Sequence, residues 1–339
     1  MNMNSADKNK KNKFDIIGIG KPCIDMLSIV ERLPKPDSGT GILDFSRQGG
    51  GNVATAIVAA ARLGATAGMV GMTGSCLNGK AIREDFEYNG VDISRIVTVE
   101  GMYSDFAVIL SDLETKGRSI IYRRGPLRAL ETSDLDRDYL TSAGILHLEG
   151  SGEPEKTAAL WMREAGKKVA YDVAGYSEGV KNFTPHIDFY IASEFCYKAV
   201  FGEGENREEN YEKNCRIIAE SGPEIVVFTL GARGCVGFCK NEGFFRVGGL
   251  QVDVVDTLGA GDVFHGAYLF GLSQGYGAKK SAEFANAVSA VKIGYIGGRA
   301  GIPTLAATER FMAKGAVSAE DDAELQKRAE YYRNKWLFG

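Results

Sequence analysis

Short apolar runs alternate with helical stretches along most of the chain, and this alternation limits the fold more than any other feature. Strands that are joined by helices lie parallel, and a parallel sheet needs helices on both of its faces. The sequence therefore predicts a doubly wound, mostly parallel α/β domain. The predicted strands are residues 14–20, 67–70, 144–148, 168–172, 187–192 and 224–230, and the predicted helices are residues 52–63, 77–88, 153–165 and 206–221.

Two regions interrupt this alternation and read as paired strands with glycine-containing turns. They are residues 26–31 with 42–47, and residues 104–111 with 119–123. Few helices lie between these strands, so they cannot belong to the winding of the main sheet. We expect a small antiparallel β lid, with lid strands at about 26–47 and 103–124. Because the edges and the outer face of such a sheet need a cover, the lid predicts a homodimer.

Composition and pattern divide the chain into three parts. Residues 1–13 are polar and basic and contain no apolar run, which is typical of a disordered tail. Residues 14–315 carry the pattern of the α/β domain. Residues 316–339 predict a C-terminal helical extension.

Charge and cysteine content exclude several classes of protein. The net charge is only −4, and no basic stripe follows the N-terminal tail, so a nucleic-acid partner is not expected. No run of 18 or more apolar residues predicts a membrane span. The six cysteines form no CxxC pair, and only three histidines are present, which disfavours a zinc site. We expect a soluble, cytoplasmic protein.

The stretch VDTLGAGD, residues 255–262, places three small residues before a carboxylate at the start of a helical pattern. The first N–H groups of a helix lack partners, and that end carries a partial positive charge. Gly259, Ala260 and Gly261 would let an anion approach these N–H groups. Asp262 is then either an N-cap or the base that takes the proton of a hydroxyl group during phosphoryl transfer.

Two motifs resemble one family. VDTLGAGDVFHGA is similar to the C-terminal signature of the ribokinase-like (PfkB) carbohydrate kinases, and QGGGNVATA at residues 48–56, followed by RLG at 62–64, is similar to their N-terminal signature. The resemblance spans residues 14–312. It implies a ribokinase-like fold with a β lid, and an ATP-dependent sugar kinase that uses Mg²⁺.

The resemblance also implies roles for individual residues. The GAGD aspartate, Asp262, matches the catalytic base, and the amides of Ala260 and Gly261 would hold the transferring phosphate. Asp25 would bind sugar hydroxyls, with a surface turn as the alternative; Asn52 would contact the sugar, cap a helix, or do both. The expected catalytic loop is Gly259, Ala260, Gly261 and Asp262, and the expected substrate-binding residues are Asp25, Gly50, Gly51, Asn52, Arg123 and Glu149.

A nucleotide site and a cation site are implied in the same way. The alternative for Thr229 is an ordinary hydroxyl group at the end of a strand, and the alternative for Asn286 is a residue on the polar face of a helix. The expected nucleotide-binding residues are Ser193, Thr229, Gly231, Gly234 and Asn286. Backbone carbonyls of Asp256 and Leu258, with those of the loop that begins at Gly297, would bind a monovalent cation such as K⁺, and a glycine-rich turn without an ion is the alternative.

The chain departs from the family pattern in three places. Residues 193–196 read SEFC where most members have N-x-x-E, whose glutamate acts on Mg²⁺ through water, although ketohexokinase-like members also lack it. Thr55 stands where many members have a second asparagine. Residues 297–303, GGRAGIP, are most similar to sulfofructose-type kinases, yet Glu149 would repel a second anion, so a neutral ketose or related sugar is favoured.

The sequence therefore predicts an ATP-dependent kinase of a neutral ketose or related monosaccharide. A nucleoside kinase of the same fold is one alternative, and it would need an apolar slot for the base. A catalytically silent sugar-binding or regulatory protein is the other alternative. The intact Gly259–Asp262 motif argues against silence.

Overall fold

The computed structural model describes residues 12–115 and 117–335, so most of the predicted disordered tail, residues 1–13, lies outside the described residues. The strands are β1 (Phe14–Ile19), β2 (Cys23–Val30), β3 (Ile42–Gly50), β4 (Ala67–Gly74), β5 (Asp92–Val99), β6 (Phe106–Asp112), β7 (Arg118–Arg123), β8 (Ala143–Leu148), β9 (Lys168–Val173), β10 (Phe189–Ser193), β11 (Ile225–Thr229), β12 (Cys235–Cys239) and β13 (Gly243–Val247). The helices are α1 (Asn52–Arg62), α2 (Leu77–Tyr88), α3 (Arg137–Thr141), α4 (Glu153–Glu164), α5 (Glu178–Phe183), α6 (Glu194–Phe201), α7 (Glu208–Glu220), α8 (Ala260–Ser273), α9 (Ala278–Lys292), α10 (Leu305–Lys314) and α11 (Ala319–Asn334).

The main sheet has nine strands in the order β13-β12-β11-β10-β9-β8-β1-β4-β5. All neighbours from β11 to β5 are parallel, and β12 and β13 add an antiparallel edge. The sheet grows from β1 in both directions, since Ile17 pairs with Gly68 of β4 on one side and with Leu146 of β8 on the other. The direction in which successive strands are added, the winding of the sheet, therefore reverses at β1. Ligands of doubly wound sheets bind where the winding reverses, beyond the carboxyl ends of the strands. Here that place lies between β1 and β8.

Helices cover both faces of this sheet. α1, α2, α8 and α9 pack on one face around Ile57, Phe86 and Leu269, and α3 to α7 pack on the other around Met162 and Tyr197. The predicted doubly wound, mostly parallel fold is confirmed. The antiparallel edge was not predicted, because β12 and β13 are short and no helix separates them.

The lid is a separate sheet of four strands in the order β3-β2-β6-β7. Its outer pairs, β2 with β3 and β6 with β7, are antiparallel, whereas β2 and β6 in the middle are parallel. The parallel pair has a simple cause: β2 continues from β1 and β6 from β5, and β1 and β5 run in the same direction. The inner face of the lid buries Leu27 and Ile109 against Leu258 and Ile296 of the main domain.

The last described helix ties the lid to the main domain. α11 begins after the Ser318 N-cap. Arg333 of α11 binds Asp44 of β3 through Nε and Nη2 at 2.9 and 2.6 Å, and the Tyr332 hydroxyl donates to Asp85 of α2 at 2.7 Å.

Within residues 12–115 and 117–335, no helix is long and apolar enough to cross a membrane.

Candidate active site

Glu149 lies directly after β8, at the point where the winding of the main sheet reverses. Its Oε1 accepts a hydrogen bond from the N–H of Lys21, after β1, at 2.5 Å, and its Oε2 accepts one from the N–H of Val53, in the first turn of α1, at 3.1 Å. Burial raises the pKa of Glu149 to about 7, although these two N–H groups oppose the shift. Glu149 therefore joins three segments at the floor of the cleft.

Asp25 lies in strand β2, and not in a surface turn. Its carboxylate covers the face of Gly50, where any added Cβ would overlap it. Cys23 Sγ donates to its Oδ1 at 3.5 Å. Burial raises the pKa of Asp25, and the positive charge of Arg299 partly offsets this. The two glycine-loop and lid residues that were predicted to contact the sugar, Gly50 and Asp25, are thus in direct contact.

Asn52 is the first residue of α1, and its N-cap is Gly51, with φ of 95° and no side-chain capping bond. The helix-cap alternative for Asn52 is therefore wrong. The Asn52 amide instead contacts the carboxylate of Asp172 at the carboxyl end of β9. Burial raises the pKa of Asp172 to about 6, and His147 and the Asn52 amide oppose this shift. Asp172 was not predicted as a site residue. The available signal in the sequence was an acidic residue at the end of an apolar, predicted parallel strand.

Asp262 lies in the first turn of α8, whose N-cap is Gly259 in the left-handed conformation, with φ of 71° and no side-chain capping bond. Asp262 is thus not the N-cap, and that alternative is wrong. Burial raises the pKa of Asp262 well above its usual value. Three further carboxylates, those of Asp172, Glu149 and Asp25, add to the shift, and Lys292 opposes it. A carboxylate with a raised pKa accepts a proton more readily than an ordinary carboxylate does.

The approach to the N-terminus of α8 is open. Gly261 is exposed, and an added Cβ there would meet no atom within 4 Å. The N–H of Ala260 donates to the carbonyl oxygen of Thr257 at 3.2 Å, so this amide already has one partner. An anion in front of α8 would reach Gly261 most directly, and it would share the Ala260 N–H with Thr257.

The predicted nucleotide-binding residues lie along the same sheet edge, beyond β10 and β11. Ser193 and Thr229 are register partners at the ends of these strands. Ser193 Oγ caps α6 by accepting from the N–H of Cys196 at 3.4 Å, and Thr229 Oγ1 donates to the carbonyl oxygen of Ala192 at 3.4 Å. The turn after β11 contains Gly231 and Gly234, with φ of 58° and 86°, and Asn286 of α9 donates to the carbonyl oxygen of Gly248 at 3.2 Å.

The lid contacts the loop before α8 through Arg118, a residue that was not predicted to belong to the site. Arg118 Nη1 donates to Thr257 Oγ1 at 2.9 Å, between β7 and the loop before α8. Arg123, at the other end of β7, donates to the hydroxyl of Tyr103 at 3.2 Å. The structure therefore places Arg118 next to the expected phosphate site. This contact joins distant parts of the chain, so it has no local signal in the sequence.

Beneath the glycine-rich loop lies a buried charge pair. Arg299 binds the Asp85 carboxylate, and its Nη2 donates to the carbonyl oxygen of Gly50 at 3.1 Å. Its Nε donates to Thr55 Oγ1 at 3.4 Å, and its guanidinium stacks over the Phe86 ring at 5.2 Å. Thr55, which departs from the family pattern, is therefore turned toward Arg299.

The SEFC segment offers no free carboxylate. Its acid, Glu194, is bound by Lys198 at 3.1 Å and by Arg233 at 3.1 Å, and these partners lower its pKa. Among the described residues, no group of three or more His, Cys, Asp and Glu is arranged to hold a metal ion by itself. The carboxylates of Asp172, Glu149 and Asp25, however, each add to the raised pKa of Asp262, and this excess of negative charge fits a Mg²⁺ ion that arrives with nucleotide phosphates.

The predicted potassium site is filled by the protein itself. Lys292 Nζ donates to the carbonyl oxygens of Asp256, at 3.2 Å, and of Leu258. Gly297 contributes an N–H, which donates to Asp256 Oδ2 at 2.8 Å. The residues present therefore do not fit a potassium ion on these carbonyls.

An acidic site at the winding reversal, next to an open helix N-terminus, suits phosphoryl transfer to an alcohol group. Residues 13–305 match the pfkB family of carbohydrate kinases, and the chain belongs to this family. The predicted family is thus confirmed.

Individual relatives agree with this assignment. The 5-dehydro-2-deoxygluconokinase of Clostridium perfringens is 24% identical over 332 residues, which are 92% of this chain and 96% of that protein. The nucleoside kinase of Methanothermobacter thermautotrophicus is 24% identical over 313 residues, 88% of this chain and 96% of that protein. The ribokinase of Arabidopsis thaliana, complexed with ribose and ATP, shares the fold with a TM-score of 0.76 at 22% identity, over 88% of this chain and 98% of that one. The chain is an ATP-dependent kinase of the sugar and nucleoside kinase group.

Proposed function

We propose that the protein transfers the γ-phosphate of ATP to a hydroxyl group of a neutral monosaccharide, with Asp262 as the general base. The observation that carries this proposal is the position of Asp262 in the first turn of α8, at an open helix N-terminus, where the carboxylates of Asp25, Glu149 and Asp172 act on it. The sugar hydroxyl oxygen attacks the γ-phosphorus, the bond to the β-phosphate oxygen breaks, and Asp262 takes the hydroxyl proton. The N–H groups at the start of α8 stabilise the transferring phosphate.

Mg²⁺ supplies charge neutralisation for the nucleotide phosphates in this class of reaction. Among the described residues, Asp25, Asp172 and Asp262 lack the two backbone N–H partners that Glu149 has. Because Asp25 is proposed to bind the sugar and Asp262 to act as the base, Asp172 would hold the ion through water. Ser193, Thr229, Gly231, Gly234 and Asn286 would bind the nucleotide along the edge of β10 and β11. Arg118 of the lid already contacts Thr257, in the loop before α8, so its side chain would be within reach of phosphates bound at this loop.

The acceptor is proposed to be uncharged because the cleft is acidic. Asp25 and Glu149 line the side where the sugar would lie, and in their ionised forms they repel a second anion. Asp25, Gly50 and Asn52 supply hydrogen-bonding groups of the kind that sugar hydroxyls need. A nucleoside acceptor is the second candidate, favoured by the similarity to a nucleoside kinase.

One activity panel separates these acceptors. ADP release is measured with Mg-ATP and a series of ketoses, aldoses, sugar acids and nucleosides at equal concentration. The proposal expects the largest kcat/KM for a ketose or a related neutral sugar. A larger kcat/KM for a nucleoside or a sugar acid would contradict the proposed substrate class, and no turnover with any acceptor would contradict the proposed activity.

The protein is further proposed to be a cytoplasmic homodimer that pairs through its lids. The two edge strands of the lid expose large apolar side chains to solvent: Ile42, Leu43, Ile120, Ile121 and Tyr122. Exposed strand edges with such side chains favour pairing with another sheet. Light scattering at micromolar concentration should give the mass of a dimer for the wild type and a lower mass for Ile121→Lys. A monomeric wild type would exclude this arrangement.

A further inference from the structure

Lys292 is the last residue of α9, and its side chain is fully shielded from solvent. Its Nζ donates hydrogen bonds to the carbonyl oxygens of Asp256 and Leu258, which lie in the loop that leads into α8. A lysine is rarely buried without an anionic or a carbonyl partner, because removing its charge from water is costly. Here two carbonyl groups that are only two residues apart converge on one ammonium group.

We propose that the Lys292 ammonium takes the place of a bound monovalent cation, so that the phosphate-binding loop is held in its active shape without potassium. The potassium ion that the family resemblance implied would need the same two carbonyl oxygens. An ammonium ion and a potassium ion carry the same charge, and both bind carbonyl oxygens, but they cannot occupy one position together. The kinetic part of this inference rests on the proposed function, whereas its structural part does not.

The loop between β13 and α8 is fixed from several sides around this charge. Asp256 Oδ1 accepts from the N–H of Leu258 at 3.0 Å, and its Oδ2 accepts from the N–H of Gly297 at 2.8 Å. The N–H of Asp256 donates to the carbonyl oxygen of Ile293 at 3.1 Å. Lys292 completes the set by donating to the carbonyl oxygens of Asp256 and Leu258. Its removal would leave those oxygens without their cation, directly before the Gly259 turn that starts α8.

The charge of Lys292 also acts on the catalytic cleft. It opposes the upward shift in the pKa of Asp262. Burial lowers the pKa of Lys292 to about 8, the carboxylates of Asp256 and Asp262 act against this shift, and Arg118 adds to it. Lys292 is thus a positioning residue: it contacts the loop that would bind phosphate, and it does not contact the reacting atoms.

The first test needs no variant. Turnover and melting temperature of the wild-type protein are measured in sodium, potassium and tetramethylammonium buffers at equal ionic strength. The proposal expects the same values in all three, because the cation position is filled. Activation of the wild type by potassium, or a melting temperature that rises specifically with potassium, would overturn it.

Two substitutions then distinguish a replaced cation from a purely structural lysine. Lys292→Ala opens space in front of the two carbonyls, and Lys292→Met removes the charge while filling the space. Without potassium, both should lose about 10- to 100-fold in kcat, as is usual when a group that orients a charged centre is removed. Potassium should restore turnover and raise the melting temperature of Lys292→Ala only, by mass action on the folded state.

Lys279→Ala is the matched control, since Lys279 lies on the same helix and its side chain is 57% exposed. It should behave as the wild type in every buffer. If potassium does not raise the melting temperature of Lys292→Ala, the inference is overturned. If potassium raises the melting temperature but does not restore turnover, the kinetic part alone is overturned. Because the melting temperature needs no sugar and no ATP, a wrong proposal for the reaction would leave that part of the test intact.

Discussion

The guanidinium of Arg299 and the carboxylate of Asp85 form an ion pair that is closed off from solvent. Asp85 lies on α2, whereas Arg299 lies in the loop between α9 and α10. The same guanidinium donates to the carbonyl oxygen of Gly50 at 3.1 Å, so the pair supports the backbone that faces Asp25. Tyr332 of α11 donates to the other carboxylate oxygen at 2.7 Å. Stability and the predicted sugar site therefore depend on one charge pair.

Asp85→Ala should destabilise the protein strongly. Breaking a buried pair leaves an uncompensated charge, which typically costs about 3–5 kcal/mol. The free energy of unfolding from urea titration measures the loss. Glu84→Ala, on the same helix but in a partly exposed pair with Lys335, is the control and should cost about 0–1 kcal/mol. Similar losses for both variants would show that Arg299 finds another partner.

Asp25→Ala should weaken sugar binding far more than ATP binding. The Asp25 carboxylate lies against Gly50 on the lid side of the cleft, away from the predicted nucleotide residues. Polar groups of the sugar that lose their partner should cost about 1–3 kcal/mol. Calorimetric titration with each ligand gives both affinities. Equal losses for sugar and ATP would assign Asp25 a structural role.

Arg118→Ala should lower kcat and leave folding unchanged. Arg118 contributes a single exposed hydrogen bond to Thr257, so little stability depends on it. Its charge would be lost from the phosphate side of the closed lid, where one donor to the transition state is worth about 10²–10³ in rate. Steady-state kinetics with Arg124→Ala as the control gives the comparison. An unchanged kcat would show that the contact with Thr257 has no role in the closed state.

Glu149 should make the protein less stable as the pH rises. Its pKa is about 7 in the folded protein, above the ordinary value of 4.5, so the folded state binds more protons between these values. This contribution to stability is fully present below pH 4.5 and is lost as the pH rises through 7. Glu149→Gln should therefore flatten the dependence of the melting temperature on pH in this window. Glu153→Gln, which removes an exposed charge, should keep the slope of the wild type.

The fold was predictable because its signal is local. Each strand and helix of the alternating pattern is encoded in a continuous stretch, and Gly259, which forms the turn before α8, lies only three residues before Asp262. The parallel pairing of β2 with β6 was not predictable in this way, since it depends on where β1 and β5 end in the main sheet.

The part of the site that depends on long-range contacts was not visible in the sequence. Lys292 reaches carbonyl groups that lie 34 and 36 residues earlier, and Arg118 reaches a loop 139 residues away. From the neighbouring sequence alone, Lys292 and Arg118 resemble ordinary charged residues of the surface. Asp172 also became a candidate only when the sheet order brought β9 beside β8.

Asp262→Asn tests the central claim most directly. The swap keeps the size of the side chain and removes the base, and general-base loss typically costs about 10²–10⁴ in rate. The helix N-cap is Gly259, so capping is untouched. Burial, together with the neighbouring carboxylates, raises the pKa of Asp262, so removing its charge relieves the cost of desolvation and repulsion in the folded state. Asp253→Asn, at an exposed position nearby, makes the same change of charge as a control.

The decisive measurement is kcat of Asp262→Asn, taken together with its ATP affinity and melting temperature. The account predicts that kcat falls by about 10²–10⁴ while ATP affinity is kept and the melting temperature stays level or rises. A variant with normal turnover per folded molecule would contradict the assignment of Asp262 as the base, and with it the proposed mechanism.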